Sequence, residues 1–381
     1  MEDDFRPLRK VRIGIVGLGA VAQVHLAAYN QLPDVQIAGV VDIDPAKLAV
    51  ANDTLGLPTF RTLEDMLQQG RPTLVCVLTP PSQHESAVLT CAAAGVHVLC
   101  EKPLSLSVEA CERMLSACSR NNVRLAYGAS YRYLEAMMVA RRMIQAGELG
   151  DIMLLREYAV GGCGPQSRET LGFTHYPKGG PGGSGMGLCD HGIHLIDAFS
   201  WLMGSPIESA TGRGNISGDP QHPEFAHLRF ANGAIGQLLY EDGTFSTDLP
   251  YEGVFGWGGG WAVGQHDSAV AGAGNWQPHP GCIHVHGTKG SLRIFYYANL
   301  LYHRSSAGVS QVRVPDRPMP ANFAFQLEDV LNAIRDNLPT PVPGEVGRDA
   351  CLALLKIYDS SDRARLPAEA KAAREYEARL E

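Results

Sequence analysis

Apolar residues in the first 128 positions alternate between two textures. Short, mostly apolar runs occur at Val11–Val16, Val35–Val41, Leu74–Leu78, His97–Cys100 and Arg124–Tyr127, each too brief for a stable helix. Between them lie stretches with helical spacing, bounded by recognisable signals. Gly17 closes the first run, and Val21–Gln31 reads as a helix stopped by Pro33. Asp42 closes the second run. Asp44-Pro45 then opens a helix with a capping carboxylate and a proline at the first helical position. Thr62-x-x-Asp65 and Ser82-x-x-Glu85 both resemble capping boxes, and the helix after Ser82 is predicted to stop at Gly95. A further helix spans about Val108 to Arg120. Strands separated by helices predict βαβ units and a parallel sheet buried on both faces, an α/β doubly wound arrangement.

Beyond Tyr127 the texture changes. A helix near Glu135–Ala146 ends at Gly147, and short β-like runs follow. These are Ile152–Tyr158, Phe225–Phe230, Ala234–Tyr240, Cys282–His286, Ser291–Tyr297 and Val309–Val314. Several alternate in polarity, which predicts a large, open, mostly antiparallel sheet with one solvated face in a C-terminal α+β domain. Gly161–Gly187 and Gly253–Gly281 are rich in glycine yet carry His175, Tyr176, Trp257, Trp261 and Trp276. They read either as binding walls or as ordered surface loops. Helical spacing returns at Asn322–Asn337 and Gly347–Ala364, and Pro367–Glu381 is a charged, alanine-rich tail. The expected organisation is a first domain over 1–128, a second over 129–366 and a tail over 367–381. The last helices, about 322–364, are expected to pack back toward the first domain.

Composition narrows the classes. With 45% hydrophobic and 19% charged residues, the chain reads as an ordinary globular protein. Its net charge of −8, without a long basic run, argues against nucleic acid or an anionic membrane surface as main partner. No apolar stretch approaches the roughly 18 residues of a membrane span. The nine cysteines include no C-x-x-C pair, so neither a disulfide framework nor a structural zinc site is expected. That cysteine pattern makes a reducing cytoplasm the expected location, and Met1–Phe5 is acidic and lacks the basic-then-apolar order of a signal peptide.

Two motifs carry chemistry. Gly17-x-Gly19-x-x-Ala22 follows a strand and opens a helix. Gly17 permits the tight turn, Gly19 lets a pyrophosphate approach the backbone, and Ala22 is small enough for close packing. With Leu18, Ala20 and Val21 they would offer amides and a positive helix end to the phosphates. Asp42 ends the second strand, where a carboxylate accepts ribose hydroxyls and repels a 2′-phosphate; neither Ile43 nor Asp44 supplies a cation. NAD is therefore expected rather than NADP. The prolines of Thr79-Pro80-Pro81 would stiffen a loop beside that cofactor, and His84 serves either contact or packing. The second motif is Glu101-Lys102-Pro103, directly after His97–Cys100. A lysine at the carboxyl end of a strand of this sheet suggests chemistry beside the dinucleotide, because ligands of open α/β sheets bind there.

With these residues the chain resembles the Gfo/Idh/MocA family, the glucose–fructose oxidoreductase and inositol dehydrogenase group. The matching pieces are Gly17–Ala22, Thr79-Pro80 through His84, Glu101-Lys102-Pro103, Tyr131-Arg132-Tyr133, the segment Asp190–Asp197 and His286–Leu292. The resemblance implies an N-terminal NAD-binding Rossmann domain and a C-terminal domain whose open sheet forms homodimers or homotetramers. In the family the other face of that sheet covers the active site. It implies a dehydrogenase of a sugar, glycoside or cyclitol, working in either direction, with catalytic roles at Lys102, Asp190 and His194. Metal is not expected.

The residues support those roles independently. Oxidation of a secondary alcohol sends a hydride to nicotinamide and a proton to a base. His194, with an ordinary pKa near 6.5, suits the base. Lys102 can stabilise a developing alkoxide. Asp190, four residues before His194, shares a face with it if the segment is helical, and either orients it or holds a neighbouring hydroxyl. Read as His-x-x-His-x-x-Asp, His191, His194 and Asp197 spread over too wide an arc to converge on a metal. Asp197 is expected to make a structural hydrogen bond, and Lys289 to be a turn lysine. Tyr131 and Arg132 either line a substrate pocket or pack; His175, Tyr176 and His191 are further substrate candidates. The glycine stretch Gly179–Gly187 departs from the family's compact triplet, so the substrate's identity stays open. Two rival readings stand: glycoside cleavage through transient oxidation on bound NAD, and a non-catalytic NAD-binding regulator.

Overall fold

A computed structural model describes residues 11–162, 187–214, 223–245, 282–317 and 320–363. The chain divides into two compact units, Met1–Glu135 with Asp316–Cys351, and Ala136–Pro315 with Leu352–Glu381.

The first unit is built on six parallel strands: β1 Val11–Val16, β2 Val35–Val41, β3 Thr59–Phe60, β4 Leu74–Val77, β5 His97–Cys100 and β6 Leu125–Tyr127. Their order, β3-β2-β1-β4-β5-β6, is that of a Rossmann sheet. The apolar runs are buried on both faces: Ile13, Ile15, Val40, Val75, Cys76 and Val98 are all fully enclosed. Five helices connect the strands: α1 Ala20–Tyr29, α2 Pro45–Asp53, α3 Leu63–Asp65, α4 Pro81–Ala93 and α5 Val108–Arg120. Asp44 caps α2 by accepting from Ala46 N (2.9 Å), and Ser107 caps α5 from Ala110 N (3.3 Å). Thr62 accepts from Asp65 N (3.1 Å) and caps α3, which runs on as a wider π-helical turn, Met66–Gly70.

The expected capping box at Ser82 does not form. Pro81 fills the first position of α4, which places the cap on Pro80, a residue with no acceptor side chain. Glu85 instead pairs with Arg113 at 2.5 and 3.1 Å.

The unit is completed from the far end of the chain. Tyr127 N donates to Val342 O (2.9 Å), so the edge strand β6 is covered by the segment before Gly344. A late helix, Ala321–Arg335, lays Phe323 against His25 of α1, ring centroids 4.7 Å apart.

The second unit holds eight described strands: β7 Ile152–Gly162, β8 Ile207–Arg213, β9 Glu224–Phe230, β10 Ile235–Phe245, β11 Cys282–Gly287, β12 Ser291–Phe295, β13 Leu300–Ser305 and β14 Gly308–Val312. Their order is β14-β13-β12-β11-β7-β10-β9-β8. Only β7 and β10 pair in parallel; every other pairing is antiparallel. The strands at Ile207–Arg213 and Leu300–Ser305 were not expected, since short half-exposed strands carry little apolar signal. Strand β9 alternates strictly, with Glu224, Ala226, Leu228 and Phe230 buried. Helices Glu135–Gln145 and Ile193–Met203 also belong here, the first placing Arg141 over the Trp201 ring at 5.7 Å. Lys289 occupies the turn between β11 and β12, its N–H donating to Leu149 O (2.8 Å).

Among the described residues no helix is long and apolar enough to cross a membrane. The eight described cysteines are buried and free. Burial pushes the thiols of Cys76 and Cys91 up to about 12, so neither is a nucleophile at neutral pH.

Candidate functional site

In a sheet of this order, β1, β2, β4 and β5 all end at one edge, and the residues singled out by motif follow them. After β1, Gly17 takes φ +94°, and a Cβ there would lie 2.8 Å from Leu78 O and 3.0 Å from Thr79 N. Glycine is required by both the conformation and the close approach of the loop after β4. Gly19 differs: no atom stands within 4 Å of where its Cβ would be. It is the N-cap of α1, and the Ala20 and Val21 amides precede the first bond of the helix, from Ala22 N to Gly19 O (3.1 Å). Thr79 Oγ1 is buried without a hydrogen-bond partner. Close-packed Gly17, open space over Gly19 and an unsatisfied hydroxyl beside them fit a bound dinucleotide.

Asp42 ends β2, as expected, and its carboxylate is committed to the turn. Oδ2 accepts from Leu18 N at 2.6 Å and Oδ1 from Asp44 N at 2.8 Å. This ties the phosphate turn to the end of β2. Lys47, one turn into α2, brings Nζ to 3.8 Å from Oδ2. This cation was not expected, because Lys47 lies beyond Ile43 and Asp44 in sequence and returns to Asp42 only through the first turn of α2.

Glu101 points inward. His25 Nε2 lies 2.9 Å from Glu101 Oε1, and Lys102 N donates to Glu101 Oε2 at 3.0 Å. The other ring nitrogen of His25 meets the Tyr29 hydroxyl at 2.6 Å. Burial pushes the Glu101 carboxyl up, but the bond and charge of His25, with Lys102, outweigh it and hold the group below its ordinary value. Thus Glu101 anchors the backbone of Lys102 to the helix that starts at the phosphate turn. His25 was not among the expected site residues; its signal is a polar residue on the inward phase of an apolar helix. Lys102 itself is half-buried, and its peptide bond to Pro103 is cis.

His84 is fully buried. Its Nε2 lies 2.7 Å from Thr79 O and its Nδ1 3.2 Å from Leu104 O. Burial lowers its pKa against the opposing pull of the two carbonyls, which can only accept, so the ring donates to the backbone around it. It supports the Thr79 loop from beneath. Tyr131 is buried and Arg132 half-buried on the short 3₁₀ turn Ser130–Tyr133.

In the second unit, Asp190 does not lie in an ordinary helix. Gly187–Gly192 is a π-helical turn, and α-helix begins at Ile193, so Asp190 and His194 straddle the change of winding. Asp190, His191, His194 and Asp197 are all buried. His191 Nε2 lies 3.0 Å from the Tyr296 hydroxyl and 3.3 Å from Glu157 Oε2. Among the described residues no group of three or more His, Cys, Asp or Glu is arranged to hold a metal. His175 and Tyr176, with Trp257, Trp261 and Trp276, lie outside the described residues.

Comparison with known proteins agrees with this architecture. Residues 11–129 match the family described as "Oxidoreductase family, NAD-binding Rossmann fold", and residues 137–293 match the "GFO/IDH/MocA C-terminal domain". The chain belongs to the GFO/IDH/MocA oxidoreductase family.

Particular relatives include the rhizopine catabolism protein MocA of Rhizobium meliloti, 29% identical over 56% of this chain and 66% of that protein. Glucose-6-phosphate 3-dehydrogenase of Bacillus subtilis is 27% identical over 54% of this chain and 57% of its own length. The chain thus spans less than two thirds of either curated relative. Among solved structures, scyllo-inositol dehydrogenase from Lactobacillus casei with NAD(H) and scyllo-inositol superposes with TM-score 0.70 at 22% identity. That match covers 93% of this chain and 98% of the other, a likeness of fold.

Proposed function

We propose that the chain is an NAD-dependent dehydrogenase that oxidises a secondary hydroxyl of a sugar, glycoside or cyclitol, or reduces the matching ketone. One observation carries the reading: Lys102 follows β5 at the same sheet edge as the phosphate turn after β1 and Asp42 after β2. A module that only bound a dinucleotide would not need an ammonium there. Relatives named for glucose-6-phosphate and scyllo-inositol support a polyhydroxy substrate.

In this reading the turn Gly17–Val21 holds the pyrophosphate through the amides that open α1, since those of Gly17 and Leu18 already donate to Val41 O and Asp42; Asp42 accepts from the ribose through its remaining lone pairs, and Thr79 and Pro80 flank the remainder. Bound NAD would supply the hydride acceptor. Lys102 donates to the substrate oxygen and favours alkoxide character. His194 takes the hydroxyl proton, and Asp190 orients it or holds a neighbouring hydroxyl. Tyr131, Arg132, His175, Tyr176 and His191 are the candidates for reading substrate shape. Residues 1–128 bind cofactor, and 129–366 bind substrate and assemble a homodimer or homotetramer through the open sheet, in the cytoplasm.

The test is a panel of sugars, cyclitols and glycosides screened for NADH absorbance. NADH formation supports the reading. Glycoside cleavage without net NADH would replace it with transient oxidation, and NAD binding without turnover of any compound would favour a regulator.

A further inference from the structure

The turn that carries Asp190 is held from two sides by buried acids of its own unit. A single π-helical turn is rare and is found mostly at functional sites, so what stabilises this one matters. At its start, Leu188 N donates to Glu224 Oε2 at 2.8 Å, while Tyr358 donates to Glu224 Oε1 at 2.9 Å. Gly187 permits this approach, since a Cβ there would stand 1.4 Å from Glu224 Oε2. At its end, the His191 ring meets a second buried carboxylate, Glu157 of β7. The hydroxyl of Tyr240 donates to Glu157 Oε2 at 2.8 Å, and that of Tyr296 donates to Glu157 Oε1. Because Tyr296 gives its proton to Glu157, His191 Nε2–H donates to the Tyr296 oxygen. The ring is also edge-on to Tyr240, centroids 5.4 Å apart at 85°. Gly192 closes the contact, with a built Cβ only 3.1 Å from Tyr240 Cε2.

Glu157 is 1% exposed. A buried carboxylate costs several kcal/mol unless donors surround it, and an apolar side chain of similar size would pack in its place at no such cost. Here two phenols and an imidazole converge on it, and the imidazole stands next to Asp190 and three residues before His194.

We propose that Glu157 is a positioning residue: with Tyr240 and Tyr296 it clamps His191 and thereby sets the turn from which Asp190 and His194 project. The kinetic half of this proposal rests on the dehydrogenase reading; the structural half does not.

Glu157→Gln keeps the size and a hydrogen-bonding end while removing the charge, and Tyr296→Phe removes only a hydroxyl. Two measurements apply to each. The first is steady-state kinetics on the substrate found by the panel, with NAD affinity by calorimetry. The expected result is a kcat lowered roughly 10- to 100-fold, the scale of a small misplacement remote from the reacting atoms, with KM and NAD affinity unchanged. The second is NMR of nitrogen-labelled histidine without substrate, with His194 assigned by a His194→Gln spectrum. Its ring resonances are expected to move in both variants.

If they move in a protein that turns over no sugar, the positioning role stands and the dehydrogenase reading falls. If His194 resonances stay put, or an active Glu157→Gln enzyme keeps wild-type kcat, the positioning role is overturned. It is also overturned if kcat, KM and NAD affinity deteriorate together with stability, because that pattern marks a merely structural acid. Should Glu157→Gln fail to fold, Tyr296→Phe decides by the same readings.

Discussion

Replacing Gly19 by Ala separates cofactor binding from folding, with Gly17→Ala as the contrast. At Gly19 the backbone is extended, φ −75° and ψ −171°, and no atom lies within 4 Å of a built Cβ. Alanine is comfortable in that conformation, and its lower entropy when unfolded is expected to leave stability unchanged or raise it by about 0.4–1 kcal/mol. The methyl would, however, stand over the amides that open α1. A phosphate oxygen bonded to such an amide sits about 2.9 Å from nitrogen, closer than a neighbouring methyl allows. NAD affinity should fall about 10- to 100-fold, equivalent to about 1.4–2.8 kcal/mol.

Gly17 behaves oppositely. Alanine there must adopt φ +94° and place its Cβ 2.8 Å from Leu78 O. That carbonyl belongs to backbone fixed by the Leu78 N–H bond to Val16 O (2.8 Å) and cannot swing aside like a side chain. Strained φ and overpacking together should cost about 2–5 kcal/mol. Thermal unfolding of the ligand-free protein and calorimetric titration with NAD read both variants. Wild-type NAD affinity in Gly19→Ala would refute a pyrophosphate over that residue. A wild-type melting temperature in Gly17→Ala would refute the steric argument.

Further outcomes concern the other candidate residues of each unit. Asp42→Ala removes the charge that repels a 2′-phosphate and leaves Lys47 without its carboxylate, so the ratio of NADP to NAD affinities should move toward NADP by roughly tenfold or more, and an unchanged ratio counts against both roles. Lys102→Met should bind NAD like wild type while turnover drops roughly 10²–10³-fold. His194→Ala should lose roughly 10²-fold or more, again with NAD affinity held. Near-normal turnover in either variant overturns the assigned role. Glu101 is held below its ordinary pKa, so its contribution to stability is present above the ordinary carboxylate range and is lost as pH falls through the lowered value. Glu101→Gln should remove that acid-side slope from denaturation curves measured across pH, and a slope equal to wild type would show that Glu101 does not carry it.

Much of the first unit was readable because its determinants are local. Apolar runs too short for helices, a glycine turn after the first, and capping residues at Asp44 and Thr62 announce parallel strands and their crossovers without reference to distant contacts. Asp42 was found for the same reason, since the end of a strand places it. The Ser82 box failed on a local rule too, because Pro81 had already taken the first helical position.

What the chain alone could not declare depends on partners far apart in sequence. His25 meets Glu101 across 76 positions, Glu157 meets Tyr296 across 139, and Glu224 meets Tyr358 across 134. In each case a polar residue sits on the buried phase of its element, which signals only that a partner exists. Which partner it finds is decided when strands and helices are brought together, because burial without a donor is too costly to persist. The π-helical winding of Gly187–Gly192 has the same origin. Asp190 and His194 would share a face only in an ordinary α-helix; instead, contacts to Glu224 and Glu157 reach the segment at either end and accompany the wider turn. Sequence thus determined most of the strands, the cofactor turn and the family; tertiary packing determined the short half-exposed strands and what the buried acids hold in place.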